Sequence, residues 1–287
     1  MLPIANTDLL INPDGSIYHL NLKPEQVADT ILLVGDPDRV AEISFYFDKI
    51  EYKVRNREFI THTGSYKGKR ITALSTGIGT DNIDIVVNEL DALVNIDFAS
   101  RTVRPNHRKL TIIRIGTSGA IQPDIPVDTF GLSTYGMGFD NLLYYYNATS
   151  LQHEEMTDAF LDHAKWKIAH VRPYFVKGSE SLAKKFTNGM IRGITATAPG
   201  FYVPQGRKLR IDLADQDMIA RLQGFRFNEE RIINFEMETS ALYALGALLD
   251  HNVLTVCAII ANRATQKFSL DYKLVVKKLI ELVLETI

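Results

Sequence analysis

The sequence predicts one α/β domain over residues 1–287, with a mixed central β-sheet covered by helices in a three-layer α/β/α arrangement. Three observations lead there. Short apolar β-type runs alternate with stretches of helical apolar spacing. Several of those runs are apolar on both faces, as strands buried under helices are. Finally, no internal repeat and no Pro/Gly/Ser-rich linker divides the 287 residues, a length that can bury a substantial core.

The predicted strands are 31–34, 71–74, 110–115, 127–133, 191–197 and 253–260, each a β-branched or apolar run of strand length. Apolar residues at helical spacing predict helices over 83–94, 156–168, 237–249 and 272–284. Tyr66-Lys67-Gly68-Lys69, set between two strand-like runs, reads as a hairpin turn. Residues 95–109, rich in Arg and Asn, read as a surface insertion.

Composition narrows the function classes. A formal charge of -2 provides no global field to draw nucleic acid or a membrane surface, so an anionic ligand must be caught locally. The single cysteine, Cys257, sits in an apolar run and reads as a small buried hydrophobe suited to a reducing compartment. The start of the chain carries Asp8 and Asp14 instead of a basic region with an apolar stretch, and the longest apolar tract is broken by Asp250-His251-Asn252. A cytoplasmic protein with small-molecule ligands is the expectation.

Five constellations carry chemistry. In Leu33-Val34-Gly35-Asp36-Pro37-Asp38-Arg39 an apolar strand ends in glycine and a helix opens on Asp and Pro; free backbone N–H groups, the dipole and Arg39 make an anion site, where the plain alternative is a capped helix. Ser75-Thr76-Gly77-Ile78-Gly79-Thr80-Asp81 is another strand-to-helix turn, which backbone angles alone can explain. Arg114 interrupts the apolar run before Gly116-Thr117-Ser118-Gly119, and a guanidinium placed there needs a carboxylate or an anionic ligand. Asn234-Phe235-Glu236-Met237-Glu238 sets two carboxylates before a helix, either as ordinary first-turn acids or as acceptors for vicinal sugar hydroxyls, with Met237 under the ribose. In Gly200-Phe201-Tyr202-Val203-Pro204-Gln205-Gly206-Arg207, Phe201 can stack on a heterocycle while Gln205 and Arg207 meet an imide edge; solvated loop residues are the alternative.

In this order, Gly-Asp-Pro-Asp-Arg, Asn-Arg-Glu-Phe, Ser-Thr-Gly-Ile-Gly, Arg-Ile-Gly-Thr-Ser-Gly-Ala, Phe-Tyr-x-Pro-Gln-Gly-Arg and Phe-Glu-Met-Glu resemble the nucleoside phosphorylase family of the hexameric purine nucleoside phosphorylase and uridine phosphorylase type, over about residues 17 to 265. The Gln-Gly-Arg loop looks like the uridine phosphorylases. So does Asn262-Arg263, where purine-acting relatives usually carry an aspartate that protonates the base. The resemblance implies that Gly35, Arg39, Arg114 and Thr117 hold phosphate, joined by Arg57 from a neighbouring subunit. It implies a ribose site of Met237, Glu238 and Glu236, with His19 lent by the neighbour to the 5′-hydroxyl, and a base site of Phe201, Gln205 and Arg207. Glu58 and Ser75 match positions that hold a monovalent cation in some bacterial members. Residues 95–109, Thr80-Asp81 and the segment 136–141 depart from the family pattern.

The activity so implied is phosphorolysis of a pyrimidine nucleoside such as uridine to free base and ribose 1-phosphate, with Arg207, Gln205 and Glu238 as the catalytic set. Inorganic phosphate is the co-substrate, no organic cofactor is expected, and the sites are shared in a homo-oligomer. The competing expectations are a purine nucleoside phosphorylase or nucleosidase of the same fold, and a non-catalytic nucleoside-binding member.

Overall fold

The structure, a computed structural model, describes residues 2–186 and 189–287. The first half builds β1 (Thr30–Val34), α1 (Asp38–Ser44), β2 (Lys49–Asn56), β3 (Phe59–Tyr66), β4 (Lys69–Ser75), α2 (Thr80–Asn95), the short β5 (Ile96–Asp97) and β6 (Thr102–Val103), β7 (Thr111–Ala120) and β8 (Phe130–Gly138). The second half adds α3 (Glu154–Ala164), β9 (Tyr174–Lys177), α4 (Glu180–Ala183), β10 (Met190–Thr197), α5 (Met218–Gly224), β11 (Arg226–Phe227), β12 (Glu230–Glu236), α6 (Thr239–Leu248), β13 (Asn252–Asn262), β14 (Lys267–Phe268) and α7 (Tyr272–Thr286).

One mixed sheet runs β11-β12-β10-β8-β13-β7-β1-β4-β3-β2, as the alternation of strands and helices predicts. Strand residues divide between its faces with period two. Ile31 and Leu33 of β1 pack with α2 and α6, whereas Leu32 and Val34 pack with α1 and α7. Both faces of β1 are therefore dry, which is why it reads as an unbroken apolar run.

One feature was not foreseen. β12 also pairs antiparallel with β7, Asn234 opposite Ala120 and Phe235 opposite Gly119, so β12, β10, β8, β13 and β7 close on themselves. Closure gives this part of the sheet an interior, and the interior is partly polar. Ser133 and Thr195 share a hydrogen bond, Thr195 donates to Asn234 (2.7 Å), and Asn234 donates to the Ser118 hydroxyl (2.7 Å). All four are buried, so the chain of hydrogen bonds is what makes their burial tolerable. Ser118 lies within β7, which runs past the predicted end at 115 to Ala120, and its hydroxyl is engaged in that chain.

Several boundaries move for local reasons. The strand predicted over 127–133 begins at Phe130 because Asp128 occupies the left-handed region (φ 66°), and it runs on to Gly138. The 136–141 segment is thus the end of β8 and its exit turn. The helix predicted over 156–168 spans Glu154–Ala164, opened by the His153 ring accepting from the Met156 N–H and stopped at left-handed Lys165. Lys67-Gly68 form the predicted hairpin, with φ 48° and 76°. Within 95–109, β5 and β6 make a small hairpin from which Arg101 donates to the carbonyls of Ile4 and Ala5, clasping the N-terminal segment.

Candidate functional site

The C-terminal ends of parallel strands β1, β4, β7 and β13, with the exits of β10 and β12, surround a cavity of about 750 Å³. Ligand sites in open α/β sheets gather at such strand ends, where loops replace the ladder. Eleven of the fourteen residues singled out from the sequence line it: Gly35, Arg39, Glu58, Arg114, Thr117, Phe201, Gln205, Arg207, Glu236, Met237 and Glu238. His19, Arg57 and Ser75 do not.

At the inner end lies a buried ion cluster. Arg114 donates to Glu238 and approaches Glu236 at 3.4 Å, all three being nearly inaccessible. Gly116 makes room for it, since a Cβ there would fall 2.0 Å from Arg114 Nη1. Burial opposes the charge on Arg114, but Glu238 and then Glu236 more than offset it and hold its pKa above the ordinary arginine range. Burial likewise pushes the Glu238 carboxyl up, against the pull of Arg114. Beside them Cys257 is free and buried, as expected, its thiol pushed up to about 12 by burial.

The two carboxylates differ. Glu236 accepts from the Thr197 hydroxyl (2.7 Å) and from the backbone N–H of Glu238 and Thr239 (both 3.0 Å), capping α6. This corrects the expectation that Glu236 binds ribose: its oxygens are engaged within the chain. It also explains why α6 starts at Thr239 instead of at 237 as predicted. Glu238 accepts from the Gly79 N–H (2.8 Å), at a glycine whose φ of 101° only glycine adopts freely, and retains acceptor capacity toward the cavity. The second glycine turn therefore serves the site by fixing Glu238.

Arg39 supplies the unpaired charge. It is 8% exposed, and among the described residues it has no carboxylate within ion-pair distance, only the Ile115 carbonyl at 3.4 Å from Nη1. Burial lowers its pKa. A nearly buried cation without a counter-ion, facing a cavity beside the N–H groups of the Gly35 turn, is a place for an anion.

The outer wall is the 201–207 loop. The Arg207 guanidinium lies 3.9 Å from the Phe201 ring centroid and donates to the Phe201 carbonyl (2.7 Å) and to Gln205 Oε1 (2.5 Å). Gln205 is 2% exposed, and its amide nitrogen has no partner among the described residues. Arg263 fastens the loop from behind by donating to the carbonyls of Gln205 and, at 3.2 Å, Gly206; burial and then the charge of Arg207 bring its pKa down to about 10.

Other residues named from the sequence lie outside the cavity, His19 and Arg57 as their expected place in a neighbouring subunit's site requires. The Ser75 hydroxyl, placed at a cation site, accepts from the Ile60 N–H (2.7 Å) and donates to the Glu58 carbonyl, so it is buried between β3 and β4. His19 and Arg57 stand together on the surface away from the cavity: Arg57 lies 5.9 Å over the Tyr18 ring, and Asn56 donates to the His19 carbonyl (2.8 Å). They contribute nothing to this protomer's own cavity. Asn262 does not line the cavity either; its amide donates to the carbonyls of Gln122 (2.8 Å) and Ile125 (2.6 Å). The sequence reading missed Asn82, Ile260, Ala261 and Phe268 as lining residues. Ile260 and Ala261 stand near the end of β13 as Ser118 and Gly119 stand near the end of β7, Ala261 opposite Gly119, and that shared position near a strand end was the available signal. Among the described residues no group of three or more His, Cys, Asp or Glu side chains gathers to hold a metal ion.

With this geometry in hand, comparison with known proteins places the chain. The uridine phosphorylase of Thermococcus kodakarensis is 32% identical over 255 residues, covering 89% of this chain and 80% of that protein. A DeoD-type purine nucleoside phosphorylase of Bacillus cereus is 28% identical, covering 84% and 85%. Among solved structures, a Trypanosoma brucei nucleoside phosphorylase, described as showing uridine phosphorylase activity, superposes with a TM-score of 0.88 at 30% identity over 97% of this chain and 99% of that one. The family model described as phosphorylase superfamily matches residues 29–287, and the chain belongs to that superfamily.

Proposed function

We propose that the protein is a uridine phosphorylase-like enzyme of cytoplasmic nucleoside salvage, which cleaves a pyrimidine nucleoside with inorganic phosphate. The observation that carries this reading is the unpaired, nearly buried Arg39 at one end of a cavity whose other end presents the Gln205 amide and Arg207. An oxyanion fits the first end, an imide edge fits the second, and Glu238 between them can accept hydroxyls of a sugar.

Phosphate held by Arg39, Arg114 and the N–H groups at Gly35 and Thr117 attacks C1′ from the face opposite the base. As the new C1′–O bond forms, the glycosidic bond breaks, its electron pair goes to the base nitrogen, and the anomeric centre inverts. The base need not be protonated as it leaves. Arg207 and Gln205 donate to its carbonyl oxygens and stabilise the delocalised anion, which takes its proton from water after release. No acid stands at position 262, where Asn262 is tied to backbone carbonyls, and this favours a leaving group that departs as an anion. Phosphate held against the developing positive charge at C1′ supplies proximity and electrostatic stabilisation together.

Half-buried His19 and exposed Arg57, close together on the surface away from their own cavity, support a homo-oligomer in which each copy completes its neighbour's site. Incubation with uridine, thymidine and inosine, with and without phosphate, tests the assignment. Release of uracil only when phosphate is present is the expected outcome. Cleavage without phosphate would establish a nucleosidase, and preference for inosine would overturn the pyrimidine assignment.

A further inference from the structure

His19 is held in an unusual way. Glu89, in the middle of α2, accepts from the backbone N–H of His19 (3.0 Å) and of Leu20 (2.8 Å), and the same carboxylate lies 2.6 Å from His19 Nδ1. A group receiving two backbone donors is acting as an acceptor, so Nδ1 must carry the hydrogen that points at it. The other ring nitrogen, Nε2, has no partner among the described residues, and the ring is partly exposed. Leu20, wholly buried against α2, anchors the segment from the other side.

We infer that Glu89 is the positioning residue that fixes the tautomer and orientation of His19, so that Nε2 is presented outward as a preset acceptor for a substrate hydroxyl. The inference rests on the reading above in which His19 serves a neighbouring copy's nucleoside. Carboxylate–imidazole pairs fix which ring nitrogen faces the ligand. Here the backbone bonds add a second constraint, because they lock the main chain of His19 to the same carboxylate as its ring. With ring and backbone held together, the acceptor has little orientational freedom left to lose on binding.

The test compares kcat/KM for uridine and 5′-deoxyuridine in the wild-type protein, H19A, E89Q and the H19A/E89Q double variant. With one hydrogen bond at stake, the wild-type preference for uridine should be roughly tenfold and should collapse to about one in H19A. In E89Q it should fall to about threefold or less, and the double variant should match H19A, because a residue acting only through His19 has nothing further to lose. Structural damage would lower both substrates alike, so an E89Q protein that keeps the full preference overturns the inference. A preference surviving in H19A would remove the role of His19, and that of Glu89 with it.

A ¹⁵N spectrum of the histidine-labelled full chain separates the two readings, since it needs no turnover. His19 should appear as the Nδ1–H tautomer in the wild type and lose that bias in E89Q, or in E89A if E89Q does not fold. An Nε2–H tautomer in the wild type would refute the positioning role whatever the enzyme cleaves.

Discussion

The two ends of the cavity are built on opposite plans. The inner wall of Arg114, Glu236 and Glu238 sits on strand ends and a helix start; Arg114 and Glu238 are 4% exposed and Glu236 is 5% exposed, and the three are joined to one another and to the backbone. The outer wall is a loop whose Phe201 is 51% exposed and whose guanidinium rests on a ring and two oxygens. The inner wall belongs to the core and cannot change without cost to the fold. The outer wall hangs from Arg263 and can be rewritten cheaply. On the proposed reading, chemistry shared by every substrate of such a site, phosphate and ribose, falls on the first, and chemistry that differs between substrates, the base, falls on the second.

The sharpest way to break this contrast is at Arg114. Arg114→Met leaves two buried carboxylates without their cation, which should destabilise the protein by about 3–5 kcal/mol. Phosphorolysis should fall by roughly a thousandfold or more. Thermal unfolding followed beside initial rates reads both effects, and an unchanged Tm would show that the inner wall is not part of the core.

Arg207→Ala should behave in the reverse manner. Loss of one preorganised donor to the leaving base should lower kcat by about 10²–10³-fold, with stability altered by no more than about 0.5 kcal/mol. The KM for phosphate should hardly move. A large fall in Tm here would erase the distinction between the walls.

Arg263→Ala probes the hinge between them. It removes two hydrogen bonds to loop carbonyls and should cost about 1–2 kcal/mol in kcat/KM for uridine, roughly tenfold. Limited proteolysis within residues 201–207 should accelerate in parallel. An intact loop with full activity would mean that the loop holds its own shape.

The smallest effect is a pH limb. On the proposed reading Glu238 accepts sugar hydroxyls, which it does best as the carboxylate, and burial raises its pKa. As pH falls through that raised value the carboxyl takes up a proton, so the KM for uridine should rise a few-fold on the acid side and stay level above it. The limb should begin at a higher pH than an ordinary carboxylate would give, and E238Q, uniformly weak, should lack it.

Much of this was readable in advance because it is local. Gly35 through Arg39 and Phe235 through Glu238 each announce a strand that stops and a turn or helix that starts, which is decided by neighbours in the chain, whereas the strand predicted to stop at 115 runs on through Gly116–Gly119 to Ala120 because β13 pairs with it there. What was misread is long-range. Glu236 and Glu238 are two residues apart and chemically identical, yet Thr197 and the start of α6 claim one while Gly79 leaves the other facing the cavity. Ser75 read as a ligand and is a packing hydroxyl, and Asn262, read only as the site of a missing acid, braces the loop after β7. Arg263, noticed only as its neighbour, holds the base loop.

Taken alone, the sequence determined the alternation of strands and helices, the strand-end turns and the side chains gathered there, because those depend on periodicity and on backbone rules spanning a few residues. Only the tertiary structure decided which of those side chains remain free to meet a ligand. The antiparallel contact of β12 with β7 joins segments more than a hundred residues apart, and it sets Asn234 against the Ser118 hydroxyl and turns the end of β12 toward the end of β7. No local pattern encodes that meeting, since the free energy that selects it comes from burying whole surfaces at once.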